Sequence, residues 1–143
     1  MQSATKLAAA LALFATPVLA DGHASGDAAA GESVFGKCQS CHVVANDAGD
    51  ILAGARAKTG PNLYGLSGRV AGSVDGFRYK KSIVAAGEAG LAWDEEKFVA
   101  YLADPRKYLR TYLDDKRASS GMSFKLANEE DAKNVWAFIT SLE

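Results

Sequence analysis

The run Cys38-Gln39-Ser40-Cys41-His42 constrains this chain more than any other stretch. It has the C-x-x-C-H pattern of a covalent c-type haem attachment site. In such a site two thiols add to the two vinyl groups of haem, and the histidine that follows reaches the iron as proximal ligand. Cys38 and Cys41 are the only cysteines, so no other disulfide or Cys-rich metal site competes for them. Two other chemistries remain for the pair. A disulfide oxidoreductase places C-x-x-C in a βαβ pattern, and no run of β-branched strands flanks this one. Zinc needs a third and fourth ligand. His23 is the only histidine besides His42, and no carboxylate spacing points at Cys38. Haem c, one group held by two thioether bonds, is the preferred reading.

Residues 1–20 read as a secretory signal peptide. Lys6 supplies a thin basic region, Leu7 to Phe14 an apolar run, and Val18-Leu19-Ala20 a small-residue cleavage site. The apolar run is short for a bilayer, since a spanning helix needs about 20 apolar residues. An uncleaved anchor is the alternative; no later segment is long and apolar enough to span. Cleavage after Ala20 leaves residues 21–143 as one domain, large enough to bury a core around a haem. The formal charge of the whole chain is −1, which gives nucleic-acid binding no support. Export and haem attachment agree independently, because bacterial c-type haem is attached outside the cytoplasm. The expected compartment is the periplasm.

Residues 21–26 are expected to form a flexible lead-in. Asp27 can cap a first short helix carrying Val34 and Phe35, which ends at the haem motif. Residues 46–58 lack a steady period and read as a surface loop. Gly60-Pro61-Asn62 is turn chemistry, and glycines 65, 68, 72 and 76 mark closely packed loops. A short helix is expected over 79–86. Another begins at Asp94, buries Phe98, Leu102 and Tyr101, and stops at Pro105. The last is the clearest: Asn128 and Asp131 resemble a capping box, and Ala132, Val135, Trp136, Ile139 and Leu142 recur at helical spacing. No strand run is convincing. The fold class is mainly α, with three to five helices and long loops around one covalent haem.

A second axial ligand follows by elimination. Methionine occurs only at positions 1 and 122, and Met1 leaves with the leader. His23 lies in the lead-in. Met122 sits in Ser119-Ser120-Gly121-Met122-Ser123-Phe124, where glycine allows a turn that can aim the thioether at iron. Taken alone, one methionine is more often core filler; with a haem inferred and no rival, Met122 is the expected ligand. His/Met ligation raises the reduction potential. A six-coordinate iron has no open position for oxygen or peroxide, which favours electron transfer over catalysis.

The chain also resembles the class I c-type cytochromes, and within them the larger cytochrome c2 group of purple bacteria, from Gly31 to Leu142. The landmarks are G-E-S-V-F (31–35), C-Q-S-C-H (38–42), T-G-P-N-L-Y-G (59–65), W-D-E-E-K-F (93–98), Y-L-A-D-P-R-K-Y (101–108) and G-M-S-F (121–124), in the family's order. The resemblance implies that the Pro61 carbonyl accepts the Nδ1 proton of His42, orienting the ring. It implies that Arg69, Tyr79 and Trp93 donate to the buried haem propionates, which need partners. Tyr101 and Ser120 match hydroxyls near the methionine sulfur, and Phe124 the aromatic at the exposed haem edge. Gly31 and Phe35 match a first helix crossing the last near Phe138. Pattern alone would leave Trp93, Tyr101 and Phe124 as core or turn residues and Arg69 as a solvated charge.

Some positions depart from the family. Phe35 and Cys38 are one residue closer than in mitochondrial members, while 43–60 and 109–119 are longer, as in the larger c2 proteins. The family's inner-pocket asparagine has no clear counterpart; Ile83 lies near its place. The resemblance implies a monomeric periplasmic electron carrier, not an enzyme and not inserted in the membrane. Its donor would be a cytochrome bc1 complex, and its acceptor a photosynthetic reaction centre or cytochrome c oxidase. A basic docking face is expected from Arg78, Lys80, Lys81, Arg106, Lys107, Arg110, Lys116 and Arg117, with Lys37, Lys58 and Lys125 nearer the motifs. A mixed solvated surface is the alternative. The rival function is a haem enzyme or gas sensor whose iron lacks Met122.

Overall fold

The computed structural model describes residues 24–143. The proposed leader, residues 21–23 and therefore His23 lie outside the described residues. In chain order the elements are α1 (Ala28–Phe35), β1 (Val43–Ala45), β2 (Ile51–Gly54), α2 (Lys81–Glu88), α3 (Glu95–Ala103), α4 (Pro105–Tyr112) and α5 (Glu129–Thr140).

Short polar side chains start most of the helices by accepting otherwise unpaired first-turn N–H groups. Asp27 accepts from Ala30 N at 2.9 Å, Asp94 from Lys97 N at 2.8 Å and Asn128 from Asp131 N at 2.9 Å. Glu129, Glu130 and Asp131 add charge complementary to the positive end of the α5 dipole.

The broadest contact between elements is α1 against α5, and Gly31 permits it. A Cβ there would lie 1.9 Å from the Asn134 carbonyl oxygen and 2.8 Å from Phe138 Cβ. One turn on, the Phe35 and Phe138 rings pack with centroids 5.4 Å apart. The otherwise buried Asn134 side chain is satisfied by Asp27 N at 2.7 Å. Trp136 of α5 reaches Phe98 of α3 at 5.2 Å, so three helices share one core with Val44, Leu91, Leu109, Val135 and Ile139. Ser25, within the expected lead-in, donates its N–H and its hydroxyl to the Glu95 carboxylate.

Three expectations about elements need correction. Pro105 does stop α3, but it also opens α4: Asp104 ends one helix and caps the next, accepting from Lys107 N at 3.0 Å, with proline at the first helical position. Residues 46–58 are not all loop, because β2 pairs antiparallel with β1, with a register shift between Val44 and Ala45. These strands, three and four residues long, are too short to show a periodic pattern in sequence. The helix expected at 79–86 spans Lys81–Glu88; its N-cap, Lys80, makes no side-chain cap to mark the start in sequence.

The glycines at 65, 68, 72 and 76 all have positive φ, from 66° to 74°. The segment they shape runs along residues 91–93. Gly68 N donates to Trp93 O at 2.8 Å, Trp93 N to Arg69 O at 2.9 Å and Ala71 N to Leu91 O at 2.8 Å. That pairing sets Arg69 beside Trp93.

Candidate haem site

The chain beyond α1 winds through the C-x-x-C-H run in tight turns. Cys38 N donates to Phe35 O at 2.7 Å, and Cys41 N and His42 N both donate to Cys38 O, at 3.0 and 2.9 Å. Both thiols are free and half-buried. Burial pushes the Cys38 thiol up, against a smaller opposing pull from Lys37. A redox dithiol needs the opposite, a thiolate favoured near neutral pH. Nor do three or more His, Cys, Asp or Glu side chains gather as a metal-holding group among the described residues, so this part of the chain assembles no zinc set.

His42 Nδ1 lies 2.9 Å from Pro61 O. A carbonyl can only accept, so Nδ1 carries the proton and Nε2 keeps its lone pair for a metal. Burial lowers the pKa of His42, with the Pro61 bond opposing, which favours the neutral ligand form. The fit depends on Gly60, whose N–H donates to Cys41 O at 2.7 Å. A Cβ on Gly60 would come within 2.4 to 2.7 Å of three imidazole atoms. Asn62 then pins the next residues to β1: its Oδ1 accepts from Ala45 N at 3.0 Å and Tyr64 N at 3.1 Å, and its Nδ2 donates to Ala45 O at 2.7 Å.

Arg69 donates to Tyr64 O at 2.8 Å and Asn62 O at 3.0 Å. Of the five N–H donors of a guanidinium, these use one from each terminal nitrogen. Arg69, Tyr79 and Tyr101 are neighbours: the arginine charge acts on Tyr79, and Tyr79 on Tyr101. Burial raises the pKa of both tyrosines, so they stay protonated and able to donate. The Trp93 ring packs edge-on to Tyr101 at 5.1 Å. Tyr101 OH lies 3.2 Å from Ser120 Oγ, which also accepts from Met122 N at 3.0 Å. Met122 is half-buried against the core, and Phe124 stands 40% exposed. Ile83 is buried and brings no polar group to its position.

Sequence reasoning read Gly60 and Asn62 only as turn residues and gave no role to Ser82. Ser82 Oγ accepts from Ser119 N at 3.0 Å and ties α2 to the loop that carries Met122. The Gly-Pro-Asn turn was visible, but only its folded geometry shows glycine lying against the imidazole and asparagine holding the sheet.

Two free thiols, an imidazole with Nε2 available and a thioether in a loop are the donors haem c uses. With five helices and long loops they define a class I c-type cytochrome domain. No protein-family model matches the chain. It is 52% identical to cytochrome c2 of Rhodovulum adriaticum over 118 residues, covering 82% of this chain and 94% of that one. It is 48% identical to cytochrome c2 of Cereibacter sphaeroides over 141 residues, covering 97% and 95%. The crystal structure of cytochrome c2 from Rhodobacter sphaeroides superposes with a TM-score of 0.80 at 49% identity, covering 82% of this chain and 96% of that one. The chain belongs to the cytochrome c2 family. It binds one covalent haem c and carries electrons; it is not an enzyme.

Proposed function

We propose that residues 21–143, released from a leader of residues 1–20, work as a periplasmic electron shuttle with His42 and Met122 as the axial ligands. The observation that carries this reading is the pair of supports the chain builds. One holds His42 through Pro61 at 2.9 Å, and the other holds the Met122 backbone through Ser120 at 3.0 Å. Bound haem supplies a reversible one-electron change at iron. Cys38 and Cys41 would hold it covalently, and Nε2 of His42 and the Met122 sulfur would be its iron ligands. Arg69, Tyr79 and Trp93 offer N–H and O–H donors to the propionates, which limits the cost of burying them. Tyr101 and Ser120 hold the methionine side of the pocket, and Phe124 borders the exposed edge.

Electrons enter from a cytochrome bc1 complex and leave to a photosynthetic reaction centre or cytochrome c oxidase. Among the described residues no helix is long and apolar enough to cross a membrane. Arg78, Lys80 and Lys81 are exposed. Lys80 lies against the Met122 loop, where a Cβ on Gly121 would come 3.2 Å from Lys80 Cγ. Cations beside the electron port suit brief docking on an acidic partner. Lys125 also lies near that loop, but it is paired with Asp104 at 2.6 Å.

Mass spectrometry of protein purified from the native host tests processing and attachment together. The expected mass is that of residues 21–143 plus one haem. Met122→Ala should abolish the ferric Met-to-iron absorption band and open the iron to small ligands. An unchanged band would remove Met122 from its role, and absence of the band from the unsubstituted protein would favour the gas-binding reading. Lys80→Glu with Lys81→Glu should slow electron transfer to either acceptor at low salt, and added salt should slow the unsubstituted protein. Indifference to both would dismiss the basic docking face.

A further inference from the structure

We propose that Glu143 is a positioning residue that acts through Arg69: its carboxylate offsets part of the arginine charge and so lowers the reduction potential. This role rests on Arg69 as a partner of the haem propionates, as proposed above.

The carboxylate is fixed in place from both sides. Glu143 Oε1 accepts from Ser67 N at 3.2 Å, across 76 residues of sequence. Ser67 stands two residues before Arg69, in a tight turn where Gly68 has a φ of 71° and Arg69 N donates to Leu66 O at 3.1 Å. That turn is itself held, because Leu66 is buried and both Gly68 N and Arg69 O pair with the Trp93 backbone. On the other side, Glu143 N donates to Thr140 O at 3.4 Å and Leu142 N to Ile139 O at 3.1 Å. The chain thus runs straight on from the last turn of α5, with Leu142 packed against the core.

From this place the carboxylate reaches Arg69 by its charge. Burial lowers the Arg69 pKa, and the charges of Tyr79 and Glu143 oppose that shift. The guanidinium's own hydrogen bonds go to Tyr64 O and Asn62 O, so Glu143 adds a field rather than a further bond. The sign of its effect follows from charge balance. Ferric haem carries one more positive charge than ferrous haem, and ionised propionates favour the ferric state. A guanidinium beside them offsets their field and favours the ferrous state. A carboxylate acting on that same guanidinium restores part of the propionate field and lowers the potential. Glu143 is exposed and Arg69 half-buried, so the coupling has the size of an exposed pair and weakens with salt.

The other carboxylates at α5 are placed and occupied differently. Glu129, Glu130 and Asp131 lie in its first turn; Glu129 pairs with Lys133 and Asp131 with Lys37. Among the described residues Glu143 is the one carboxylate whose charge acts on Arg69. Its position makes α5 a brace between two parts of the haem site. The middle of the helix crosses α1, where Phe138 packs on Phe35 just before the Cys38 turn. The end of the helix reaches the Arg69 turn through Glu143 and Ser67.

The test is a spectroelectrochemical titration of the holoprotein at low and high salt. Glu143→Gln keeps an oxygen for Ser67 N but removes the charge. At a fixed ambient potential it should raise the ferrous-to-ferric ratio about twofold at low salt, the scale of an exposed ion pair, and less at high salt. Glu143→Lys changes the charge by twice as much and should raise the ratio about fourfold. Glu130→Gln removes the same charge at the opposite end of α5, where Glu130 is exposed, and should leave the ratio unchanged. In an Arg69→Gln background, Glu143→Gln should lose most of its effect. An unchanged ratio in Glu143→Gln, or an equal rise in Glu130→Gln, would overturn the proposal. So would an undiminished effect in Arg69→Gln, which would mean that Glu143 acts on the iron without the arginine. If Arg69→Gln does not mature, the two Glu143 variants and the Glu130 control still decide. An unaltered potential in Arg69→Gln itself would instead overturn the propionate role of Arg69, a separate result.

Discussion

His42 and Pro61 are joined by a hydrogen bond of 2.9 Å from the imidazole Nδ1 to the proline carbonyl. The bond fixes both the tautomer and the plane of the ring, so the free nitrogen has one direction in which to act. Gly60 makes this closeness possible, because a side chain there would occupy the imidazole's own space. Gly60→Ala should therefore displace either the ring or the proline carbonyl. Overpacking of this kind costs about 1–3 kcal/mol. The expected outcome is a lower denaturant midpoint and a shifted reduction potential in whatever protein matures. A variant with wild-type potential and stability would show that the loop yields without moving His42.

The α1–α5 crossing makes a similar demand on Gly31. The backbone of α5 fills the place a Cβ would take, with the Asn134 oxygen 1.9 Å away. Backbone cannot swing aside as a flexible side chain can. Gly31→Ala should separate the helices and weaken both the Phe35–Phe138 contact and the Asp27–Asn134 bond. The gain in helix propensity, about 1 kcal/mol in an exposed helix, is too small to offset this. Equilibrium unfolding should show a net loss, whereas Ser33→Ala, exposed on the same helix, should change little.

Ser120 connects two groups at the methionine side of the pocket. Its oxygen accepts from Met122 N and lies 3.2 Å from the Tyr101 hydroxyl. Ser120→Ala leaves both without that partner. Loss of a hydrogen bond with a half-buried group left behind costs about 1–3 kcal/mol. The Met122 loop should loosen before the fold does, so the Met-to-iron band should be lost at lower denaturant than the helical signal. Tyr101→Phe removes only one of the two contacts and should give a smaller separation. Coincident transitions in Ser120→Ala would show that the serine does not hold the loop.

The parts of this fold that were legible in sequence carry strong local chemistry. Asp27, Asp94 and Asn128 announce helix starts because a short acceptor before an apolar period has few other uses. The C-x-x-C-H run named the cofactor, and elimination among the methionines left Met122 as the ligand we propose. What escaped depends on partners distant in sequence or on one residue serving two elements. Asp104 ends α3 and begins α4, so Pro105 read as a stop concealed a helix. The β1–β2 pair is three residues against four, held partly by Asn62 from outside the hairpin. Arg69 looked like a solvated charge by pattern, and resemblance made it a propionate donor. The fold adds a third use, because two backbone carbonyls of the 62–64 turn also rest on its guanidinium.

Asp104 is where stability and acidity meet. Its carboxylate accepts from Lys125 Nζ at 2.6 Å and caps α4 through Lys107 N at 3.0 Å. Lys125 follows Met122 by three residues in sequence, so the pair fastens the α3–α4 junction to the ligand loop. The lysine, and then the Lys107 N–H, hold the Asp104 pKa below the ordinary carboxylate value. A group depressed in the folded state stabilises fully above its unfolded pKa, about 3.9, and loses that contribution as pH falls through its folded pKa. Asp104→Asn keeps a good capping oxygen but removes the charge that Lys125 binds. The variant should melt below the wild type at pH 7, and the two curves should converge as the wild-type carboxylate is protonated. Thermal melts from pH 7 down to about pH 2 would show it. The Met-to-iron band, followed on the same ramp, should weaken at higher pH in wild type with Lys125→Ala than in wild type alone, because that substitution removes the cation that keeps Asp104 ionised. Parallel melting curves, or a band indifferent to Lys125, would confine the pair to the surface with no hold on the methionine loop.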